Sequence, residues 1–142
     1  MKTLYIIIGL LFFINLQAQD WKNDLNEAKE IAAKENKKII LVFSGSDWCA
    51  PCIKLERDIF ESPEFIEYSK DHYVLLKADF PRKKKNQLPK EQQLKNNRLF
   101  EKYNPQGFFP FVVVLNPKGE VLGTTSYKKV SPKEYLEELN SF

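Results

Sequence analysis

The sequence predicts one α/β domain, built on a central mixed β-sheet of about four strands with helices on both faces. Its 142 residues have the size of one compact domain, and 43% of them are hydrophobic, which is enough to fill a core. Short continuous apolar segments alternate with segments of helical spacing. The chain then ends in two strand segments joined by a tight turn, followed by a helix, and this order is typical of a mixed sheet.

The first predicted helix begins at Asp20, a residue type that caps helices. Its apolar stripe is formed by Trp21, Leu25, Ala28 and Ile31. The run from Ile39 to Phe43 is continuously apolar and rich in β-branched residues. Such a run indicates a strand that is buried on both faces, and we therefore place it in the centre of the sheet.

A loop from Ser44 to Asp47 follows this strand and leads into Trp48-Cys49-Ala50-Pro51-Cys52. A helix can continue through Phe60, because Pro51 is tolerated in a first turn. Both cysteines therefore lie where the central strand meets a helix N-terminus. The next predicted elements are a helix from Ser62 to about His72, a strand from Val74 to Phe80 and a helix from about Glu91 to Tyr103. A strand from Phe111 to Leu115, a turn from Asn116 to Gly119 and a strand from Glu120 to Thr124 follow. The last predicted helix is capped by Ser131, and its residues Tyr135, Leu136 and Leu139 should face inward.

The N-terminal segment has the layout of a secretory signal peptide. A short positive start precedes an apolar run from Leu4 to Ile14, and small Ala18 follows at a suitable cleavage point. The alternative is a retained membrane anchor, but a spanning helix needs about 20 apolar residues and this run is shorter. We expect a signal peptide over residues 1–18 and a mature domain over 19–142, exported to the periplasm or secreted, with no stable membrane insertion.

The composition argues against several other function classes. A formal net charge of +3 is too small for strong attraction to nucleic acid. No Gly-rich phosphate loop is present, and His72 with two cysteines does not make a four-ligand zinc site. We expect a monomer with no metal and no cofactor. The run Arg82-Lys83-Lys84-Lys85 could dock an acidic partner, but such runs are more often solvated loops, and we favour that interpretation.

Cys49 and Cys52 are the only cysteines, and their spacing indicates chemistry rather than architecture. A bridge between them closes a very small loop and therefore constrains the unfolded chain little. The N–H groups of a helix start favour the thiolate of Cys49, which is the reactive form. Cys52 should be more buried and more thiol-like. Cys49 would attack a substrate disulfide, and Cys52 would then resolve the mixed disulfide.

Trp48-Cys49-Ala50-Pro51-Cys52 after an apolar strand resembles the active site of the thioredoxin superfamily, and the chain resembles in particular its small exported, periplasmic bacterial members. The segment from Tyr103 to Phe111 resembles the cis-proline loop of that superfamily. Asn116-Pro117-Lys118-Gly119-Glu120 resembles the following hairpin. The resemblance covers the mature chain and implies a thioredoxin-like fold.

The resemblance also implies roles for the residues around the cysteines. Pro110 would follow a cis peptide bond, lie against Cys49 and present the backbone of Phe109 to an extended substrate. Trp48 would pack beside the site, exclude water and contact substrate, with Pro51 as a further supporting residue. The alternatives are an ordinary turn proline at position 110 and a plain core aromatic at position 48.

Two departures from the family pattern stand out. Many thioredoxins pair a buried acid below the cysteines with a buried lysine, but the nearest positions here are Val42 or Phe43 and Leu75. Asp47, Glu56 or a water could instead accept the proton of Cys52, and the sequence leaves this open. Phe109 is larger than the usual residue before the proline, so it would narrow the groove or favour apolar partners.

The resulting hypothesis is an exported thiol–disulfide oxidoreductase of the reductase or isomerase type. Its partners would be protein thiols and disulfides, with a membrane thiol reductase as a candidate electron donor. One alternative is a Cu(I) carrier that uses both thiolates, although Met1 is the only methionine. The other is a binding module without catalysis. The direction of electron flow cannot be read from Ala50 and Pro51.

Overall fold

A computed structural model describes residues 18–142 of the chain. The expected signal segment, residues 1–18, lies outside the described residues except for Ala18. None of the helices in the described part is both long enough and apolar enough to cross a membrane.

Five strands and five helices make up the described domain. In chain order they are β1 (Trp21–Lys22), α1 (Leu25–Glu35), β2 (Lys38–Ser44), α2 (Ala50–Leu55), α3 (Pro63–His72), β3 (Tyr73–Asp79), α4 (Lys90–Tyr103), β4 (Phe111–Leu115), β5 (Val121–Thr125) and α5 (Pro132–Ser141). A π-helical turn over Glu56–Phe60 continues α2, and a short 3-10 turn covers Lys84–Asn86.

The strands form one mixed sheet in the order β1-β3-β2-β4-β5. β2 lies at the centre, parallel to β3 and antiparallel to β4, with Val42 opposite Lys77 on one side and Val112 on the other. This arrangement confirms the predicted fold class and the central position of β2. The sheet has one more strand than the four expected, because the two-residue β1 joins the edge of β3.

The start of the first helix is the element that the sequence predicts wrongly. Trp21 lies in β1 opposite Leu75, and α1 begins only at Leu25, with Asp24 rather than Asp20 as the N-cap. The ring of Trp21 packs edge-on against Phe60, on the other side of the sheet from α1. Trp21 therefore matches the helical spacing only by coincidence, and its position is set by packing against the core beneath the sheet.

Hydrophobic cores fill both faces of the sheet, as the continuous apolar character of β2 predicts. On one face, Ile40 and Val42 pack against the π-helical turn, α3 and α5. On the other face, Ile39, Leu41 and Phe43 pack against α1 and α4. The inward-facing residues predicted for the last helix are confirmed, since Tyr135, Leu136 and Leu139 are buried.

Capping side chains set where α3 and α5 begin. The Ser62 hydroxyl accepts the backbone N–H of Phe65 at 3.2 Å. Ser131 and Glu134 form a reciprocal capping box at α5. Both helices therefore begin where the sequence predicts, because each capping motif lies within a few residues of the helix start.

Candidate active site

Cys49 and Cys52 form a disulfide at the point where β2 leads into α2, with their Cα atoms 5.2 Å apart. Cys49 is the N-cap of α2, and its Sγ accepts the backbone N–H of Cys52 at 3.3 Å. The Sγ of Cys52 accepts the backbone N–H of Gly45 at 3.5 Å. The exposed fractions are 5% for Cys49 and 3% for Cys52, so both are buried and the expected difference between them is small.

Trp48 folds back over the loop that precedes it. Its indole Nε1 donates to the carbonyl oxygen of Phe80 at 2.7 Å. A Cβ atom on Gly45 would overlap this indole, so the position requires glycine. Trp48 is thereby fixed beside the disulfide, where its ring meets that of Phe109 edge-on with centroids 5.3 Å apart.

The peptide bond between Phe109 and Pro110 is cis, as the resemblance implies. Pro110 is buried, and the ring of Phe109 packs against those of Phe80 and Phe100, with centroids 5.6 and 6.1 Å away. The Phe109 side chain therefore belongs to an aromatic cluster beneath Trp48. Its effect on the width of a substrate groove stays a prediction.

Asn104 and Ser126 hold this loop, and sequence reasoning missed both. Asn104 is 1% exposed; its side-chain amide donates to the carbonyl of Phe108 at 2.8 Å and accepts the N–H of Phe108 at 3.0 Å. The hydroxyl of Ser126 donates to the carbonyl of Pro110 at 2.7 Å. Asn104 followed by Pro105 indicates a turn, but nothing in the sequence shows that the Asn104 side chain binds the backbone of Phe108.

An ion pair lies close to Cys52. Lys77 Nζ contacts both carboxylate oxygens of Glu56 at 2.9 and 2.8 Å, and each side chain is about one quarter exposed (25% and 30%). Glu56 follows Cys52 by four residues, so the two share a helix face. Cys52, Glu56 and Lys77 all line a cavity of about 370 Å³. The positions at which many thioredoxins carry a buried charge pair are apolar and buried here, namely Val42, Phe43 and Leu75. The ion pair near Cys52 is formed by Glu56 and Lys77 instead.

Asp47, the other acidic candidate, is engaged elsewhere. Its carboxylate accepts the backbone N–H groups of Arg82 and Lys83 at 2.9 Å each, and the side-chain amide of Asn86 at 3.0 Å. These hydrogen bonds, that from the Arg82 backbone above all, hold the pKa of Asp47 below its usual value. Of these two acidic residues, only Glu56 lines the cavity with Cys52.

The lone histidine lies away from the disulfide. His72 ends α3, is exposed and stacks on Tyr68 with ring centroids 3.8 Å apart. Within residues 18–142, no group of three or more His, Cys, Asp or Glu side chains is arranged to hold a metal ion.

The sequence profile of the thioredoxin-like family matches residues 20–117 of this chain, including both cysteines. The chain belongs to the thioredoxin-like family. It is 33% identical over 127 residues to the disulfide bond reductase DsbH of Chlamydia pneumoniae, and the alignment covers 89% of this chain and 72% of DsbH. It is also 28% identical over 91 residues to the thioredoxin-related protein DsbJ of the same organism, covering 56% of this chain and 26% of DsbJ.

Solved structures agree with this assignment. The structure of a DsbH oxidoreductase superposes with a TM-score of 0.79 at 32% identity, covering 89% of this chain and 91% of that one. A thioredoxin from Thermus thermophilus, at 18% identity and a TM-score of 0.63, shares the fold over 85% of this chain and 84% of its own. The family, the Cys-x-x-Cys disulfide at a helix start and the similarity to DsbH together identify this chain as a thiol–disulfide oxidoreductase.

Proposed function

We propose that this thioredoxin-like protein is an exported reductase that transfers two electrons from Cys49 and Cys52 to disulfides in other proteins. The observation that carries the proposal is the buried Cys49–Cys52 disulfide, with the Cys49 sulfur at the N-cap of α2. The similarity to a protein named disulfide bond reductase supports this direction of electron flow.

In the first step, the reduced protein attacks the substrate through the Cys49 thiolate. The Cys52 N–H points at the Cys49 sulfur and stabilises negative charge there. A bond forms between Cys49 Sγ and one substrate sulfur, and the substrate S–S bond breaks. The second substrate sulfur leaves as a thiolate and takes a proton from solvent.

In the second step, Cys52 loses its proton and attacks the Cys49 sulfur of the mixed disulfide. The Cys49–Cys52 bond forms, and the first substrate sulfur leaves as a thiolate and is protonated. One protein dithiol has then become a disulfide, and one substrate disulfide has become a dithiol. We assign the proton acceptor for Cys52 to Glu56, through water in the cavity that they share, because Glu56 lines that cavity with Cys52 whereas Asp47 is turned to the segment 82–86.

Each cycle leaves the protein oxidised, so a second dithiol protein must return two electrons to it. For an exported protein this donor would have to act outside the cytosol, and a membrane thiol reductase meets that need. The signal layout of residues 1–18 supports export, and a thiol pair outside the cytosol stays reduced only if electrons are supplied to it.

Two cysteine variants test the proposal. Cys52→Ser should accumulate a mixed disulfide on Cys49 when mixed with an oxidised substrate protein, because the resolving thiol is gone. Cys49→Ser should form no adduct and show no activity. Mass spectrometry under non-reducing conditions gives the readout for both.

The wild-type protein also has to reduce disulfides. Failure to reduce any protein or peptide disulfide, with a chemical dithiol as electron source, would overturn the proposal. Tight one-to-one Cu(I) binding without disulfide exchange would instead support the copper carrier. Full function after replacement of both cysteines would support a binding module.

A further inference from the structure

The segment after β3 carries four consecutive cations, Arg82, Lys83, Lys84 and Lys85, here called the basic loop. All four are exposed. Within the described part of the chain, none of them forms an ion pair with an acidic side chain. The Asp47 carboxylate, which interacts electrostatically with Lys83, offsets part of their charge, and the loop keeps a net positive charge that a partner can bind.

The basic loop is fastened to the active-site loop rather than free in solvent. Asp47 accepts two of its backbone N–H groups and the side-chain amide of Asn86. Just before it, Phe80 N–H donates to the carbonyl of Ser44 at 2.9 Å. A free solvated loop would need none of these contacts, so the backbone that carries the cations has a defined position relative to the active-site loop.

Arg82 extends the positive surface up to the active site itself. Its guanidinium carbon lies 3.7 Å from the centre of a Trp48 ring, in cation–π contact. Trp48 directly precedes Cys49 and also contacts Phe109. A substrate that reaches Cys49 on the Trp48 side therefore meets the basic loop next.

We propose that the basic loop docks an acidic segment that lies next to the reactive disulfide of the substrate protein. This inference rests on the proposed reductase function and specifies the charge of the substrate segment that the protein prefers. Opposite charges on the basic loop and the substrate would speed association and orient the encounter. A nucleic acid is a less suitable occupant, since the whole chain carries a net charge of only +3.

Two peptides of equal length can test the charge preference. Both contain the same disulfide, flanked by glutamates in one and by glutamines in the other. With reduced wild-type protein at low salt, the acidic peptide should be reduced about tenfold faster in kcat/KM, the lower end of electrostatic steering. The advantage should shrink as the ionic strength rises.

A matched pair of variants tests the loop itself. Lys84→Glu/Lys85→Glu should abolish or reverse the preference, and it spares the two amides that bind Asp47. Lys34→Glu/Lys118→Glu makes the same change in net charge at the opposite end of the sheet. Lys34 lies in the last turn of α1, shortly before β2, and Lys118 lies in the turn after the antiparallel β4. This control should keep the wild-type preference.

Equal rates for the two peptides with wild-type protein would overturn the inference and leave the reductase function intact. An equal loss of preference in both variants would also overturn it, because net charge rather than the loop would then be responsible. If neither peptide is reduced at all, the proposed function itself fails, and the docking proposal fails with it.

Discussion

The two cysteine sulfurs have different neighbours although both are buried. Cys49 Sγ receives the N–H of Cys52 at the start of α2, whereas Cys52 Sγ receives the N–H of Gly45 and adjoins the cavity with Glu56. One sulfur is thus placed to carry negative charge. The other lines the same cavity as the Glu56 carboxylate, to which we assign its proton.

Glu56→Gln tests the second of these roles. The amide cannot accept the Cys52 proton, so resolution of the mixed disulfide should slow by on the order of a hundredfold. The first step should be unchanged, because Cys49 keeps its N–H donor. Quenched-flow measurement of adduct formation and decay separates the two steps.

Glu61→Gln is the matched control, since Glu61 lines the same cavity and the change removes the same charge. Its rate of resolution should stay close to that of the wild type. If Glu56→Gln resolves the adduct as fast as Glu61→Gln, or slows both steps alike, Glu56 is not the acceptor.

At the scale of elements, the active site depends on two loops that leave the same edge of the sheet. Ser46, just after β2, donates hydrogen bonds to the carboxylate of Asp79 at the end of the parallel strand β3. The Asp47 carboxylate accepts hydrogen bonds from the basic loop. The sequence places both loops at this edge but does not predict their contacts. Such side-chain bonds join residues more than 30 positions apart and follow no local pattern.

Asp47→Ala should release the basic loop. Backbone amides of Arg82 and Lys83 should then exchange with solvent several-fold faster, as measured by hydrogen exchange at each residue. In the wild type, these hydrogen bonds lower the pKa of Asp47 below its ordinary value of 3.8, so the carboxylate stays ionised and the bonds stay intact at any pH above that value. The bonds should be lost only as the pH falls through the lower, folded-state pKa.

The serine cap of α5 provides a control for this measurement. Ser131→Ala removes a cap far along the chain and should leave the exchange of Arg82 and Lys83 unchanged. Unchanged protection of both amides in Asp47→Ala would show that the carboxylate does not hold the loop.

At the scale of the whole molecule, the fold follows from patterns that are local in sequence. Burial on both faces of β2, the serine caps of α3 and α5 and the turn at Asn116 all act within a few residues. β1 could not be predicted, because Trp21 fits a helical stripe as well as a strand. Only its packing against Phe60, which is distant in sequence, distinguishes the two.

The candidate site divides in the same way. The cysteines and Pro110 stand in motifs that can be recognised from the sequence alone. Glu56 could be named only as one of three proton acceptors, and its partner Lys77 was missed. The spacing of four residues after Cys52 was a usable signal for Glu56. Lys77 needed the pairing of β3 with β2 to bring it there.

The reduction potential of the Cys49–Cys52 pair tests the central claim most directly. Equilibration of the protein with glutathione or dithiothreitol buffers, followed by thiol alkylation and mass spectrometry, gives the value. A reductase should lie near the reducing end of the range for this fold, about −270 mV. A value near about −120 mV, typical of a strong oxidant, would contradict the account.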